Sequence, residues 1–183
     1  MMENNIKVLI AIQARSNSTR FPGKIFQLLG KKMILQHVID AARSAQNYVQ
    51  RPNRHKNITC EVAILHPHDD SEIISSFKDS GVLLIPGDEF NVLSRYVDAM
   101  KTTNADYIVR LTSDCPLILD FIISKHIFTA VINQIDYVNN VDEAARTFAD
   151  GLDCEVLSKK AMSWLNENVK NSDDLEHVTL AIR

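Results

Sequence analysis

The 183-residue sequence predicts an α/β fold, a mostly parallel sheet with helices on both faces. Strand-like apolar runs alternate with helix-like amphipathic segments, the order that builds parallel strands joined by crossover helices. The first run, Val8-Leu9-Ile10-Ala11-Ile12, is apolar throughout and reads as a short buried strand. With 45% hydrophobic and 23% charged residues the composition is that of an ordinary globular fold, and the length fits one domain, residues 1–183, with a sizeable core.

Element by element, residues 7–12 form the first strand. Met33 to Ala45 has helical periodicity, with Ile34, Val38, Ala41 and Ala45 on one stripe. The polar stretch 47–57 reads as a loop, Ile58 to Leu65 as the second strand, Ser71 to Lys78 as a helix and Val82 to Ile85 as the third strand. A helix over Asn91 to Lys101, a strand over Tyr107 to Leu111 and a helix over Leu119 to Ile132 follow. Strand-like residues at 136–139 and 153–157 and helices at 159–169 and 173–182 complete the chain.

The formal net charge of −3 excludes a general nucleic-acid binder, whose footprint is a basic domain. The amino terminus has neither a basic region nor a long apolar stretch, and no window is long enough to span a membrane, so a cytoplasmic location is expected. Cys60, Cys115 and Cys154 lie in or beside strands at spacings that fit no zinc pattern and read as free thiols.

Local charge is another matter. Ala14 to Lys24 follows the first strand and carries Arg15, Arg20 and Lys24 with almost no acidic neighbour in sequence. A Ser-, Thr- and Arg-rich loop at the carboxyl end of a strand offers hydroxyls, guanidinium forks and backbone N–H groups, the donor set of a polyphosphate site. Ordinary solvated surface charge is the plainer reading of the same residues. Asn17, a residue tolerant of positive φ, is expected to make the tight turn. Asp114 follows the strand Tyr107 to Leu111 and so leaves the sheet on the same edge; it reads as a carboxylate for Mg²⁺ or as the acid of a helix N-terminus. Asp153 and Glu155, two apart on a strand, share a face that is either plain exposed surface or a place for a cation or sugar hydroxyls.

The run His66-Pro67-His68-Asp69-Asp70 looks like a metal cluster, but Asp69, Asp70 or Ser71 reads better as a helix cap. His37 and His126, on helices, read as packing or surface residues. No P-loop is present: six residues separate Gly23 from Gly30, and no Ser or Thr follows Lys31 and Lys32. Gly-x-Gly-x-x-Gly is absent too.

The loop, with its spacing Arg15, Ser18, Arg20, Pro22, Lys24, resembles the nucleotide-binding signature of the sugar-activating cytidylyltransferases of the spore coat polysaccharide type, relatives of the CMP-sialic acid and CMP-3-deoxy-manno-octulosonate synthetases. Gly87 to Tyr96, Val109 to Leu117, Gly151 to Val156 and Glu176-His177-Val178-Thr179 match further motifs in the same order. The family usually has glycine at the position of Asn17, and its members continue past Arg183 into a segment with a further strand and a metal-holding aspartate, which this sequence lacks.

The resemblance implies a three-layer Rossmann-like nucleotidyltransferase fold, GT-A-like, and Mg²⁺-dependent attack by a small anionic sugar on the α-phosphorus of CTP with release of pyrophosphate. Arg15 and Lys24 would hold the triphosphate as catalytic cations, Ser18 and Arg20 would shape the loop and Asp114 would hold Mg²⁺. Asp88 and Arg95 would lie near base and ribose, although Arg95 also reads as a solvated or ion-paired helix residue. The base would be read by the backbone of Ala11 and Ala14 and by the amide of Gln13, and Asp153 and Glu155 would face the acceptor. No residue stands out as a general base, which leans toward a phosphate-type acceptor. A homodimer is compatible with the resemblance; nucleic acid and membrane are not expected partners. Two alternatives remain open: a subunit that binds nucleotide without turning it over, and a GT-A-type glycosyltransferase. Against the latter, Thr112 and Pro116 stand where an Asp-x-Asp motif would put its second acid.

Overall fold

A computed structural model describes residues 5–18, 21–51, 57–142, 144, 146 and 148–183. Strands β1 (Ile6–Gln13), β4 (Ile58–Pro67), β5 (Leu83–Gly87), β6 (Tyr107–Thr112), β7 (Tyr137–Asn139) and β8 (Glu155–Ser158) form one sheet in the order β5-β4-β1-β6-β8-β7. All neighbours are parallel except those of β8, which runs against both β6 and β7. β1 lies at the centre with both faces covered, which explains why Val8 to Ile12 carries no polar residue.

Helices α1 (Ile34–Val49), α2 (Ser71–Phe77) and α4 (Asp120–Asn133) cover one face, packing on Val8, Ile10 and Ile12. Helices α3 (Val92–Thr103) and α5 (Lys159–Asn168) cover the other, over Leu9 and Ala11. The alternation of β1 side chains between two cores is the period of a strand made visible. The last elements are α6 (Ser172–His177) and a 3₁₀ turn, Leu180–Ile182.

Several expectations shift. The buried stripe of α1 is Leu35, Val38, Ile39, Ala42, Ala45 and Val49, so Ile34 and Ala41 lie beside it; Val49 lengthens the helix into the expected loop by adding a buried turn. The helix expected over 173–182 stops at His177, because Val178 takes φ 65° and buries its side chain in the second core. A hairpin of β2 (Leu28–Leu29) and β3 (Lys32–Met33), turning at Gly30 with φ 66°, went unread since two-residue strands carry no periodicity. Asp153 lies ahead of β8, not on it, so it does not share a strand face with Glu155.

Candidate active site

The carboxyl ends of β1 and β6, neighbours at the centre of the sheet, open into a cavity of about 400 Å³. Ligands bind to open α/β sheets at this edge, where strands end and loops diverge. From β1 come Gln13 and the following Ala14 and Arg15; from β6 come Arg110 and Thr112 and the following Ser113 and Asp114. Ser18 and Lys24 enter from the loop after β1, Arg95 from α3, and Glu176 and His177 from α6. Arg15, Lys24, Arg95 and Arg110 outnumber the lining carboxylates Asp114 and Glu176, and an excess of fixed cations selects an anionic guest.

Local backbone geometry builds the loop around Ser16. Its carbonyl accepts hydrogen bonds from the N–H of Ser18 at 3.2 Å and of Gly23 at 3.0 Å. The Ser18 bond closes a tight turn centred on Asn17, as expected, but the positive φ falls at Gly23, at 67°: the non-glycine residues with positive φ among the described residues are Asn104, Gln134 and Val178. Lys24 follows at the start of a 3₁₀ turn, Lys24–Phe26, that points its side chain across the cavity. Arg20 lies outside the described residues.

Charges with no partner in sequence find partners in space. The Lys24 ammonium contacts the Asp114 carboxylate, and Arg15 approaches Glu176 at 3.6 Å. Burial pushes the Asp114 carboxyl up, but the hydrogen bond and charge of Lys24 outweigh it and hold the group below the usual carboxylate range. Asp114 is therefore an anion at neutral pH, and the pair bridges the two strand ends that the sequence placed on one edge.

Deeper in, the polar groups are incompletely satisfied. Gln13 Oε1 is buried with no hydrogen-bond partner. Arg95 is only 1% exposed; its Nη1 donates to Leu65 O at 3.3 Å, Nη2 to Glu89 O at 3.5 Å, and Nε has no partner. Burial draws its pKa down. Gly87 makes room for this arginine, since a Cβ there would run into Arg95 Cγ. Donors and an acceptor held without partners at a cavity floor are built to meet a ligand or ordered water.

Arg110 is the cavity-lining residue that sequence reasoning missed. Its side chain is 12% exposed and pairs at 2.5 Å with Glu155, which is 1% exposed. Glu155 also accepts hydrogen bonds from Tyr137 Oη at 2.6 Å and Arg183 Nη2 at 3.3 Å. Burial raises the Glu155 carboxyl, yet the Arg110 charge and the hydrogen bonds around it leave it below the ordinary range. Glu155 thus faces Arg110 behind the cavity, not an open acceptor surface. The one signal for Arg110 was a charge inside the strand Tyr107-Ile108-Val109-Arg110-Leu111.

Of the residues expected to meet base, ribose and acceptor, Gln13, Ala14 and Arg95 line the cavity and Ala11, Asp88 and Asp153 do not. Ala11 is inside the β1 ladder, opposite Ala63 and Arg110, Ala14 donates its N–H to Leu65 O at 3.0 Å, and Gln13 presents an unpaired side-chain acceptor. Asp88 is exposed and accepts hydrogen bonds from the N–H groups of Phe90 and Asn91, which hold its pKa down. Asp153 approaches Arg146 at 3.3 Å, and burial leaves its pKa raised. Cys60 and Cys154 are buried free thiols and Cys115 is half-buried; burial pushes Cys60 up to about 12.

No helix among the described residues is long and apolar enough to cross a membrane. A family model for cytidylyltransferases matches residues 9–179. The spore coat polysaccharide biosynthesis protein SpsF of Bacillus subtilis is 28% identical over 181 residues, covering 96% of this chain and 70% of that protein. The chain spans about two thirds of the length of two curated relatives that it matches. A cytidylyltransferase structure from Leptospira borgpetersenii superposes with a TM-score of 0.82 at 32% identity, covering 97% of this chain and 71% of that one. The structure of a CMP:2-keto-3-deoxy-manno-octonic acid synthetase complexed with CTP shares the fold, with a TM-score of 0.66 at 15% identity over 96% of this chain and 83% of that one. With a matching model across nearly all of its length, the chain belongs to the cytidylyltransferase family.

Proposed function

We propose that this protein transfers a cytidylyl group from CTP to a small anionic sugar, a sugar acid or sugar phosphate, for the synthesis of a surface polysaccharide or related glycan. The observation that carries this reading is the cavity at the ends of β1 and β6, where Arg15, Lys24, Arg95 and Arg110 surround one strand-end carboxylate, Asp114. Family membership supplies the cytidine, and the named relatives point to the sugar and the polysaccharide.

In the reaction an acceptor oxygen, either an ionised phosphate oxygen or a hydroxyl that gives its proton to solvent water, forms a bond to the α-phosphorus while the bond from that phosphorus to the bridging oxygen breaks, and pyrophosphate leaves with the electron pair. Arg15 and Lys24 hold the triphosphate and take up the charge that grows on the leaving group. Gln13 meets the base through its free acceptor, and Arg95 donates from the floor to nucleotide oxygens. Catalysis of this kind is mostly positioning and charge stabilisation.

The donor set fits a magnesium ion, which takes one or two carboxylates and completes its shell with phosphate oxygens and water. Asp114, ionised and half-exposed beside the Thr112 and Ser113 hydroxyls, would hold it. When bound, the ion would neutralise phosphate charge, and Lys24, now paired with Asp114, would be a cation available to the triphosphate.

The test is thermal stability of the purified chain against CTP, UTP, GTP and ATP, each with and without Mg²⁺, since a ligand bound only to the native state raises the melting point. A CTP-selective, Mg²⁺-dependent rise is expected, followed by pyrophosphate release with a candidate sugar. No rise with any nucleotide would overturn the proposal.

A further inference from the structure

We infer that Asp70, outside the cavity, is a positioning residue that sets the anion-binding loop through a hydrogen bond to the backbone of Ser16; the inference rests on the nucleotide reading of that loop. Asp70 is 7% exposed and uses its two carboxylate oxygens on different elements. Oδ1 accepts from Ile73 N–H at 3.1 Å and caps α2, while Oδ2 accepts from Ser16 N–H at 2.8 Å, across 54 residues of sequence. Ser16 in turn accepts the Gly23 N–H, and Gly23 precedes Lys24.

A chain of hydrogen bonds therefore runs from the start of α2 to the root of the loop, with Arg15 on one side of Ser16 and Lys24 at the far end. The carbonyl side of Ser16 closes the loop on itself, and at its end Ile25 is buried in the core. At its root, among the described residues, the Asp70 bond and the Ala14 bond to Leu65 O on β4 fix where the closed unit sits. A carboxylate oxygen is among the stronger acceptors for a backbone N–H, and this bond is shielded from water. A helix cap needs one oxygen only, and Ser and Asn serve that role as well as Asp does. The second oxygen is what Asp supplies, and Ser16 is what it meets.

Two substitutions separate the roles. Asp70→Ser retains an oxygen for Ile73 but has none for Ser16. Asp70→Asn retains the cap and turns an amide N–H toward the Ser16 donor. The expected result for both is a CTP dissociation constant raised at least tenfold, since misplacement of a binding group by about 1 Å is enough for losses of up to a hundredfold. Ser158→Ala, which removes the cap of α5 far from the cavity, controls for lost stability and should leave CTP binding unchanged. Hydrogen exchange supplies a readout independent of nucleotide: the Ser16 amide should lose protection in Asp70→Ser while the Ile73 amide keeps it. Unchanged CTP affinity in both Asp70 variants, with the wild type binding, overturns the inference. Failure of the wild type to bind CTP removes the nucleotide reading instead, and an unchanged Ser16 exchange rate then removes the clasp as well. Should Asp70→Ser fail to fold, Asp70→Asn carries both measurements.

Discussion

The charge pairs at the mouth of the cavity and the pair behind its floor are made of the same groups in different solvent. Lys24 with Asp114 and Arg15 with Glu176 join side chains between 28% and 51% exposed, whereas Arg110 and Glu155 are 12% and 1% exposed. Exposed pairs contribute little to stability and are free to exchange partners. A buried pair cannot exchange, because separating it leaves an uncompensated charge in a medium that solvates it poorly. The mouth is thus a place where an incoming polyanion and its counter-ion can replace protein partners, and the pair behind the floor is scaffold. Activity and stability should respond to different residues.

The largest stability effect is expected at the floor. Glu155→Gln keeps the shape and a hydrogen-bond partner for Tyr137 but strands the Arg110 guanidinium, and should lower the unfolding free energy by about 3 kcal/mol, read from urea denaturation. The sign with pH follows from the depressed pKa of Glu155. The group's contribution is fully present above its ordinary value of 4.5 and is lost as pH falls through the lower folded value. The gap between wild type and variant should hold constant above about pH 5 and narrow in more acid solution. A gap that widens in acid would assign the stabilisation to another group.

The largest activity effect is expected at the mouth. Lys24→Ala should slow turnover by about a hundredfold, close to 2.7 kcal/mol in the barrier, as for the loss of one preorganised charge-stabilising donor. Its unfolding free energy should stay within about 1 kcal/mol of wild type, since the pair with Asp114 is half-exposed. Full turnover in this variant would take Lys24 out of the mechanism, and a large loss of stability would make the mouth scaffold like the floor.

The same divide separates what was legible in the sequence from what was not. Val8 to Ile12, the loop with Arg15 and Lys24, and Asp114 after β6 were all readable, because a strand followed by a polar loop places residues on one sheet edge without any knowledge of tertiary contacts. The Arg110–Glu155 pair was not, since its members are 45 residues apart on antiparallel neighbours and register across β6 and β8 leaves no local trace. Asp153 and Glu155 looked equivalent at a spacing of two, yet only Glu155 is on the strand. The positive φ that Asn17 could have supplied falls at Gly23, which a closer weighting of glycine would have favoured. Asp70 was legible as a cap but not as a clasp, because its second partner is 54 residues away.

Between mouth and floor stands Arg95, and Gly87→Ala tests it. The added methyl meets Arg95 at Cγ, so the guanidinium must move from its place beside Leu65 and Glu89. Overpacking of this kind costs about 1–2 kcal/mol. If Arg95 also touches the nucleotide, the Michaelis constant for CTP should rise about tenfold, one step of 1.4 kcal/mol. Lost stability with an unchanged Michaelis constant would place Arg95 with the floor.

The smallest effect is expected from Glu176→Gln, and its sign is the informative part. Glu176 and Arg15 are 51% and 40% exposed at 3.6 Å, so the substitution should leave unfolding within about 0.5 kcal/mol of wild type. It also removes a negative charge from the cavity lining and releases Arg15 from its partner, both of which favour a polyphosphate. The Michaelis constant for CTP should fall about twofold to threefold at low ionic strength, and the gain should fade as salt screens the mouth, where the Debye length near 0.15 M is about 8 Å. An increase in that constant would mean that Glu176 itself holds part of the substrate or its counter-ion. The mouth would then contain two working carboxylates, Asp114 after β6 and Glu176 on α6.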